Sequence, residues 1–247
     1  MKISVVTITY NSAATLRDTI ESVLAQDYKN IEYLIIDGGS TDETIDIIKS
    51  YSDDRIKWIS EPDKGIYDAM SKGKRMATGN VVGVLNSDDF YPNSQVLDRV
   101  AHAFTNETVD AVYGDLKYVD HQDVSRITRN WVSGIYDREN FLRGWMPPHP
   151  TFFLKKAAFE KYGYYNPDFK SAGDYELILR MLFKNNLKAL YIPHVQVTMR
   201  AGGVSNSSIK NRIRANQEDR QAWKLNGIKP KWYTLFMKPL SKLQQWF

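Results

Sequence analysis

Two adjacent carboxylates, Asp88 and Asp89, end the run Val81-Val82-Gly83-Val84-Leu85-Asn86-Ser87-Asp88-Asp89-Phe90. Its apolar half has the character of a doubly buried strand, and it stops abruptly in amide, hydroxyl and acid. Hard oxygen donors at a strand's carboxyl end lie where open α/β sheets bind ligands. Such a pair suits a divalent cation that keeps several waters and completes its shell from a phosphorylated substrate. The same residue types also serve turns and helix N-caps, so the pair alone admits both readings.

Other acids fall at comparable places. Ile3 to Ile8 reads as a strand broken by Thr9-Tyr10-Asn11-Ser12, and Leu16, Ile20, Val23 and Leu24 then share one helical face. The strand Ile31 to Ile36 ends in Asp37, Gly38-Gly39 turns the chain, and Ser40-Thr41-Asp42-Glu43 fits a capping box for a helix carrying Ile45 and Ile48. Asp42 therefore takes a structural role at that helix start. A third strand, Ile56 to Ile59, ends in Glu61-Pro62-Asp63, and a helix bearing Ile66, Ala69, Met70, Gly73 and Ala77 leads to the strand before Asp88. Four such alternations predict a mainly parallel, doubly wound α/β sheet flanked by helices. Asp37, Glu61 or Asp63, and Asp88 with Asp89 then line one sheet edge. Clustered carboxylates repel phosphates, so a phosphate site here requires a bridging cation.

Beyond this half, Val96, Leu97, Val100 and Phe104 form an amphipathic helix, and Val109 to Val119 reads as a strand. Asp120 to Trp131 is polar and strand-like, and Met146-Pro147-Pro148-His149-Pro150 forms a rigid loop. Ser171-Ala172-Gly173-Asp174-Tyr175-Glu176 opens a helix rich in Leu177, Ile178, Met181 and Leu182; by itself Asp174 reads as its N-terminal cap. Strands near Leu190 and Val195 precede Arg200-Ala201-Gly202-Gly203, whose paired glycines allow a mobile lid, and a helix is expected from about Ser207 to Leu225.

Composition narrows the chemistry. The 247 residues contain no cysteine, which excludes disulfides, thiolate zinc sites and cysteine nucleophiles. No Gly-x-Gly, P-loop or Gly-x-Ser-x-Gly motif occurs, and His102, His121, His149 and His194 lack zinc-site spacing. No stretch approaches the ~18 apolar residues of a membrane span, and no leader is evident, so a cytoplasmic protein is expected. The net charge is +4, and no acid occurs from Arg220 to Phe247. There Lys224, Lys229, Lys231, Lys238 and Lys242 alternate with aromatic and aliphatic residues such as Trp232, Tyr233, Phe236 and Trp246. That pattern suits an anionic membrane surface, a packed C-terminal helix or a dimer contact; nothing else supports nucleic acid.

Several ordered motifs together resemble glycosyltransferase family 2: Ser4 to Asn11, Ile36-Asp37-Gly38-Gly39-Ser40-Thr41-Asp42, and Gly65 to Gly79 followed by Asn86-Ser87-Asp88-Asp89. The resemblance covers about the first hundred residues closely and continues more loosely to about Gly203. It implies a GT-A fold, a nucleotide-sugar donor, a divalent metal (Mn²⁺ or Mg²⁺) and inverting transfer to an acceptor hydroxyl. Thr9, Tyr10 and Asn11 would line the nucleotide pocket and Asp37 would face the base or ribose; the other readings are a core aromatic for Tyr10 and a turn acid for Asp37. Asp63 belongs with this donor edge. Lys64 and Asp68 touch the nucleotide or donor sugar, or else form a solvated helix end, and Lys72, Lys74 and Arg75 are expected on an exposed helix face. Two departures stand out. Asp37 is followed by Gly38 where relatives often have a second acid, and Asn86 replaces the first acid of Asp-x-Asp-Asp. Metal binding then rests on Asp89, the expected ligand, and on Asp88, expected on the ribose or behind the metal.

The resemblance makes Asp174 the general base for the acceptor hydroxyl. Glu176, off that helix face, is expected to be structural. His149 and Trp145 contact the acceptor or donor sugar, or else make a structural hydrogen bond and a packing contact; Trp131 carries the same two readings. Arg200 neutralises the leaving diphosphate or forms a surface ion pair. The expected organisation is a GT-A domain over 1–206, with a donor half 1–100 and an acceptor half 101–206, and a basic-aromatic helical extension over 207–247. The resemblance and the tail together point to a saccharide or lipid-linked saccharide acceptor in surface polysaccharide assembly. A sugar nucleotidyltransferase would want a glycine-rich phosphate loop near the N-terminus, and a non-catalytic relative would not need Asp174.

Overall fold

The computed structural model describes residues 1–202, 209–234 and 237, with only the backbone of 209–212. The first half alternates as expected: β1 (Ile3–Thr9), α1 (Leu16–Leu24), β2 (Ile31–Asp37), α2 (Thr44–Lys49), β3 (Ile56–Ser60), α3 (Ile66–Met76), β4 (Val81–Val84) and α4 (Val96–Ala103). The second half adds β5 (Ala111–Val119), β6 (Ile127–Trp131), α5 (Arg138–Leu142), a 3₁₀ turn at His149–Thr151, β7 (Phe153–Lys155) and α6 (Lys156–Tyr162). It closes with α7 (Gly173–Ile178), which continues as a π-helical segment over Leu179–Lys184, then β8 (Ala189–Arg200) and α8 (Ile209–Leu225).

All eight strands form one sheet, in the order β3-β2-β1-β4-β7-β5-β6 with β8 against the other side of β5. β1 pairs in parallel with β2 and β4, and β2 with β3. Since β7 runs antiparallel to both β4 and β5, and β8 is parallel to β5, the carboxyl ends of β1 to β5 and β8 share one edge. β1 and β2 are buried at every position, as strands covered on both faces must be, whereas the edge strand β3 exposes Lys57 and Trp58. Helices α1, α2 and α4 cover one face. Helices α3, α5, α6, α7 and α8 cover the other. Gly73 lets α3 lie close on the sheet: a Cβ there would come within 2.3 Å of Val6 Cγ1.

Three local expectations change. The capping box does not form; α2 begins at Thr44, and Asp42 accepts from Thr44 N (3.0 Å) and Ala13 N (3.1 Å), tying the helix start to the β1 loop. The polar stretch after β5 is extended only over Ile127–Trp131. Helix α8 packs into the main core, with Ala222 and Trp223 fully buried and Trp223 Nε1 donating to Tyr175 OH at 2.9 Å. Arg200 ends β8, while residues 203–208, where the glycine lid and the start of the last helix are expected, lie outside the described residues, as do Leu235, Phe236 and 238–247 of the tail. Among the described residues no helix is long and apolar enough to cross a membrane.

Candidate active site

The shared edge begins at Thr9, Asp37 and Ser60, which sit in one row across β1, β2 and β3. Asp37 has no exposed surface. Its Oδ2 accepts from Gly39 N (2.9 Å), Ser40 N (2.9 Å) and Ser60 Oγ (2.7 Å), and its Oδ1 from Ser40 Oγ. The carboxylate expected to face a base or ribose instead holds the turn after β2. Asn11 is similarly occupied: at φ 48° its Oδ1 accepts from Thr41 N at 2.9 Å, and its own N–H donates to Ser40 Oγ at 2.8 Å. Tyr10 is not a core aromatic, being 63% exposed. Gly38 lies beneath it, and Asp63 Oδ2 comes within 3.0 Å of where a Cβ on Gly38 would sit.

At the end of β4 the bonding is incomplete. Asp89 is fully enclosed; Oδ2 accepts from Asn86 Nδ2 at 2.9 Å, while Asp89 Oδ1 and Asn86 Oδ1 find no partner among the described residues. Thr9 Oγ1, at the end of β1, and Thr198 Oγ1, on the strand bridged to Phe90, are buried and unpaired as well. Burial, with the charge of Asp88, raises the Asp89 pKa well above the usual carboxylate range. Burial also raises that of Asp88, against the opposing charges of Arg200 and His121. Of the two acids Asp88 is partly open and Asp89 enclosed. These donors fit a hard cation, which would stabilise both charges. Among the described residues no third acid or histidine joins them, so such a cation must draw on water and a donor diphosphate.

Arg200 is buried at the end of β8, donating Nη1 to Asp88 O at 2.8 Å and pairing with Asp18. It thus makes an ion pair in which the guanidinium is enclosed and Asp18 stays exposed, and it braces the loop that carries Asp88. On the opposite flank Lys72 pairs with Asp63 (2.6 Å) and Glu61 (2.9 Å) and lies 3.8 Å from Asp68. Asp68 Oδ2 also accepts from Lys64 N at 3.1 Å, closing the start of α3, while the Lys64 side chain is exposed. The expected basic helix face is therefore not one. Lys74 is buried, with Nζ 4.1 Å from the centre of the Phe159 ring and 5.1 Å from that of Tyr165. Burial pushes its pKa down to about 7.

Asp174 lies in the first turn of α7, partly exposed. Tyr67, on the first turn of α3, donates to Asp174 Oδ1 at 3.2 Å. Because β3 is parallel to β2, that turn of α3 stands at the same sheet edge as Asp88, so the candidate base faces that edge. The loop entering α7 is held by Glu218, a buried acid of α8 overlooked in the sequence. Its carboxylate accepts from Lys170 N (3.0 Å), Ser171 N (2.7 Å) and Ala172 N (2.8 Å). No local motif marks this long-range cap; only the adjacent acids Glu218 and Asp219 on a largely basic helix hint at it. Glu176 is structural as expected, pairing with Arg180 at 2.9 Å and accepting from Asn226 Nδ2 at 3.0 Å.

The structure places His149 in a hydrogen bond and Trp145 in a packing contact. His149 Nε2 is hydrogen-bonded to Tyr165 OH, and burial, opposed by Asp174, holds its pKa down at about 4, so the ring is neutral. Trp145 Nε1 donates to Ser133 O at 2.9 Å, and its ring packs against Tyr113, Tyr136 and Phe141. Trp131, half-buried on β6, lies with its ring 5.8 Å from the Arg129 guanidinium.

Residues 4–168 match the sequence family described as Glycosyl transferase family 2. The chain belongs to that family. It is 32% identical over 213 residues to the PGL/p-HBAD biosynthesis glycosyltransferase of Mycobacterium bovis (strain BCG / Pasteur 1173P2), covering 83% of this chain and 80% of the relative. Among solved structures, S. aureus TarS 1-349 superposes with a TM-score of 0.72 at 18% identity, covering 99% of this chain and 72% of the other. This chain covers 43% of the longer TarS chain. The mannosyltransferase PcManGT from Pyrobaculum calidifontis, solved with GDP-Man and Mn²⁺, superposes at 0.67 and 20% identity over 98% of this chain and 69% of its own. These neighbours show the GT-A fold. The family 2 match makes the chain a nucleotide-sugar-dependent glycosyltransferase, and it ends before Asp174 and Arg200.

Proposed function

We propose that this family 2 enzyme transfers a sugar, with inversion, from a nucleoside-diphosphate donor held by a divalent cation at Asp88 to an acceptor hydroxyl deprotonated by Asp174. The observation that carries this reading is the contrast at one sheet edge between the closed Asp37 turn and the under-bonded Asn86–Asp89 corner. Asp88 would hold the cation, with Asp89 behind it fixing the loop. A bound Mn²⁺ or Mg²⁺ supplies positive charge to the donor diphosphate. Tyr10 offers an exposed aromatic face for the base, and Asp63 and Lys64 flank it from the next loop.

Across the cleft, Asp174 accepts the proton of the acceptor hydroxyl as its oxygen attacks the anomeric carbon and the nucleoside diphosphate departs. Thr9 Oγ1, Asn86 Oδ1 and Asp89 Oδ1 are buried, unpartnered polar atoms among the described residues, lying behind the partly open Asp88. The acceptor is a saccharide or lipid-linked saccharide of surface polysaccharide or glycolipid assembly. Exposed Lys229, Lys231 and Trp232 support contact with an anionic membrane at its cytoplasmic face.

The test is hydrolysis of UDP-glucose, UDP-GlcNAc and GDP-mannose by the full chain in Mn²⁺. Release of nucleoside diphosphate from at least one donor, abolished by EDTA and restored by Mn²⁺, is expected. Equal release in EDTA contradicts the metal. Flotation with phosphatidylserine vesicles checks the membrane contact: Lys229→Glu/Lys231→Glu is expected to lose binding, and unchanged flotation contradicts it.

A further inference from the structure

The phenol of Tyr67 joins the first turn of α3 to the first turn of α7. Its ring lies against Gly173, where a Cβ would come within 2.8 Å of the ring, and it stacks on Tyr165 with centroids 5.7 Å apart. Burial and the charge of Asp174 raise the Tyr67 pKa, so the hydroxyl stays protonated and donates to Asp174 Oδ1. The N-cap residue Ala172 makes no side-chain cap, and Tyr67 reaches the first turn of α7 from another helix. With Glu218 taking the N–H groups of 170–172, the entry to α7 is held from α8 as well as from α3.

Resting on the reading of Asp174 as the base, we infer that Tyr67 is a positioning residue that fixes the Asp174 carboxylate through Oδ1 and leaves Oδ2 for the acceptor hydroxyl. Among the described residues no donor takes Oδ2. Tyr67 also belongs to the segment that carries Lys64 and Asp68, and the Lys170 side chain donates to Lys64 O at 3.3 Å. The donor-side helix and the loop of the base are therefore stitched together at two points, so that the base is oriented by the same helix that borders the donor.

Tyr67→Phe removes the hydroxyl and keeps the ring. In the Mn²⁺ hydrolysis assay, where water replaces the acceptor, it is expected to lower kcat by about 10- to 100-fold while donor KM stays within about twofold. Asp174→Asn is expected to fall at least as far, and the double variant no further than Asp174→Asn alone. Unchanged kcat in Tyr67→Phe beside an inactive Asp174→Asn overturns the positioning role and leaves the base standing. A double variant slower than Asp174→Asn by the full Tyr67→Phe factor also overturns it, placing Tyr67 elsewhere in the reaction. Near-normal turnover in Asp174→Asn sinks the base reading itself and this proposal with it. Gly173→Ala, which pushes the ring away, is expected to repeat the kcat loss at constant donor KM. Independent of turnover, the carboxyl ¹³C resonance of Asp174, assigned by its loss in Asp174→Asn, is expected to move in Tyr67→Phe; an unmoved resonance contradicts the contact.

Discussion

Asp37 and Asp88–Asp89 present the same signal in sequence, an acid following a buried parallel strand, yet they differ in how fully their oxygens are used. At the end of β2 four donors converge on Asp37 and leave it sealed in the turn. At the end of β4 one carboxylate oxygen and one amide oxygen are enclosed without partners, and Asp88 stays partly open. A buried polar atom without a partner costs roughly 1–3 kcal/mol, so a ligand or ordered water that completed the second corner would stabilise it. The difference separates acids saturated by the fold from acids left partly open. Glu32 and Glu218 fall with Asp37, and Asp174, with one oxygen bonded and part of its surface open, falls with Asp88.

The sharpest break of this division is Asp174→Asn. Donor turnover should fall by about a thousandfold, with donor affinity and melting temperature nearly unchanged. Kinetics beside direct donor titration measures both; a large loss of stability would move Asp174 to the structural class. Glu218→Ala should do the reverse of what Asp174→Asn does to stability, costing roughly 2–4 kcal/mol in urea unfolding by stranding the N–H groups of 170–172.

Glu32 sharpens the comparison through pH. Burial alone would raise its pKa, but hydrogen bonds from Thr78, Ser4 and Lys57 outweigh it and lower the value to about 2. A carboxyl whose folded pKa lies below its unfolded value stabilises the fold fully above the unfolded value and loses that contribution as pH falls through the folded one. Between pH 4.5 and about 2 the protein should therefore lose on the order of 3 kcal/mol that Glu32→Gln does not lose. Urea midpoints across that range give the answer.

Lys74 provides the smallest and opposite test. Its ammonium is buried over aromatic rings and makes no ion pair among the described residues. With its folded pKa lowered to about 7, the charged form costs stability below that pH, and the cost is relieved as pH rises towards the unfolded value of 10.5. Lys74→Met should raise the melting temperature by a few degrees at pH 6, about 1 kcal/mol, and by less at pH 9. A drop at pH 6 would mean that the cation over Phe159 and Tyr165 outweighs its desolvation.

Much of the fold was legible because strand and helix periods are local. The four alternations from Ile3 to Val84 appear where they were read, and so does the acid edge they create. The site was less legible because hydrogen-bond saturation is not local. Asp37 looks like a ligand acid until Ser60, 23 residues on, is seen to donate to it. Lys74 looks like part of a solvated basic run until Phe159 covers it. Glu218 reaches back 46 residues to Ala172, a distance no helix-start pattern spans. Asp88 and Asp89 likewise read alike as adjacent acids, and only packing shows that one is partly open and the other enclosed.

The central claim is tested most directly by titrating UDP and GDP into wild type, Asp88→Asn and Asp37→Asn, each in Mn²⁺ and in EDTA. The account predicts Mn²⁺-dependent binding in the wild type, weakened at least about tenfold by Asp88→Asn and little changed by Asp37→Asn once that variant is folded. Equal Mn²⁺-dependent affinity in wild type and Asp88→Asn, or a loss confined to Asp37→Asn, would contradict it.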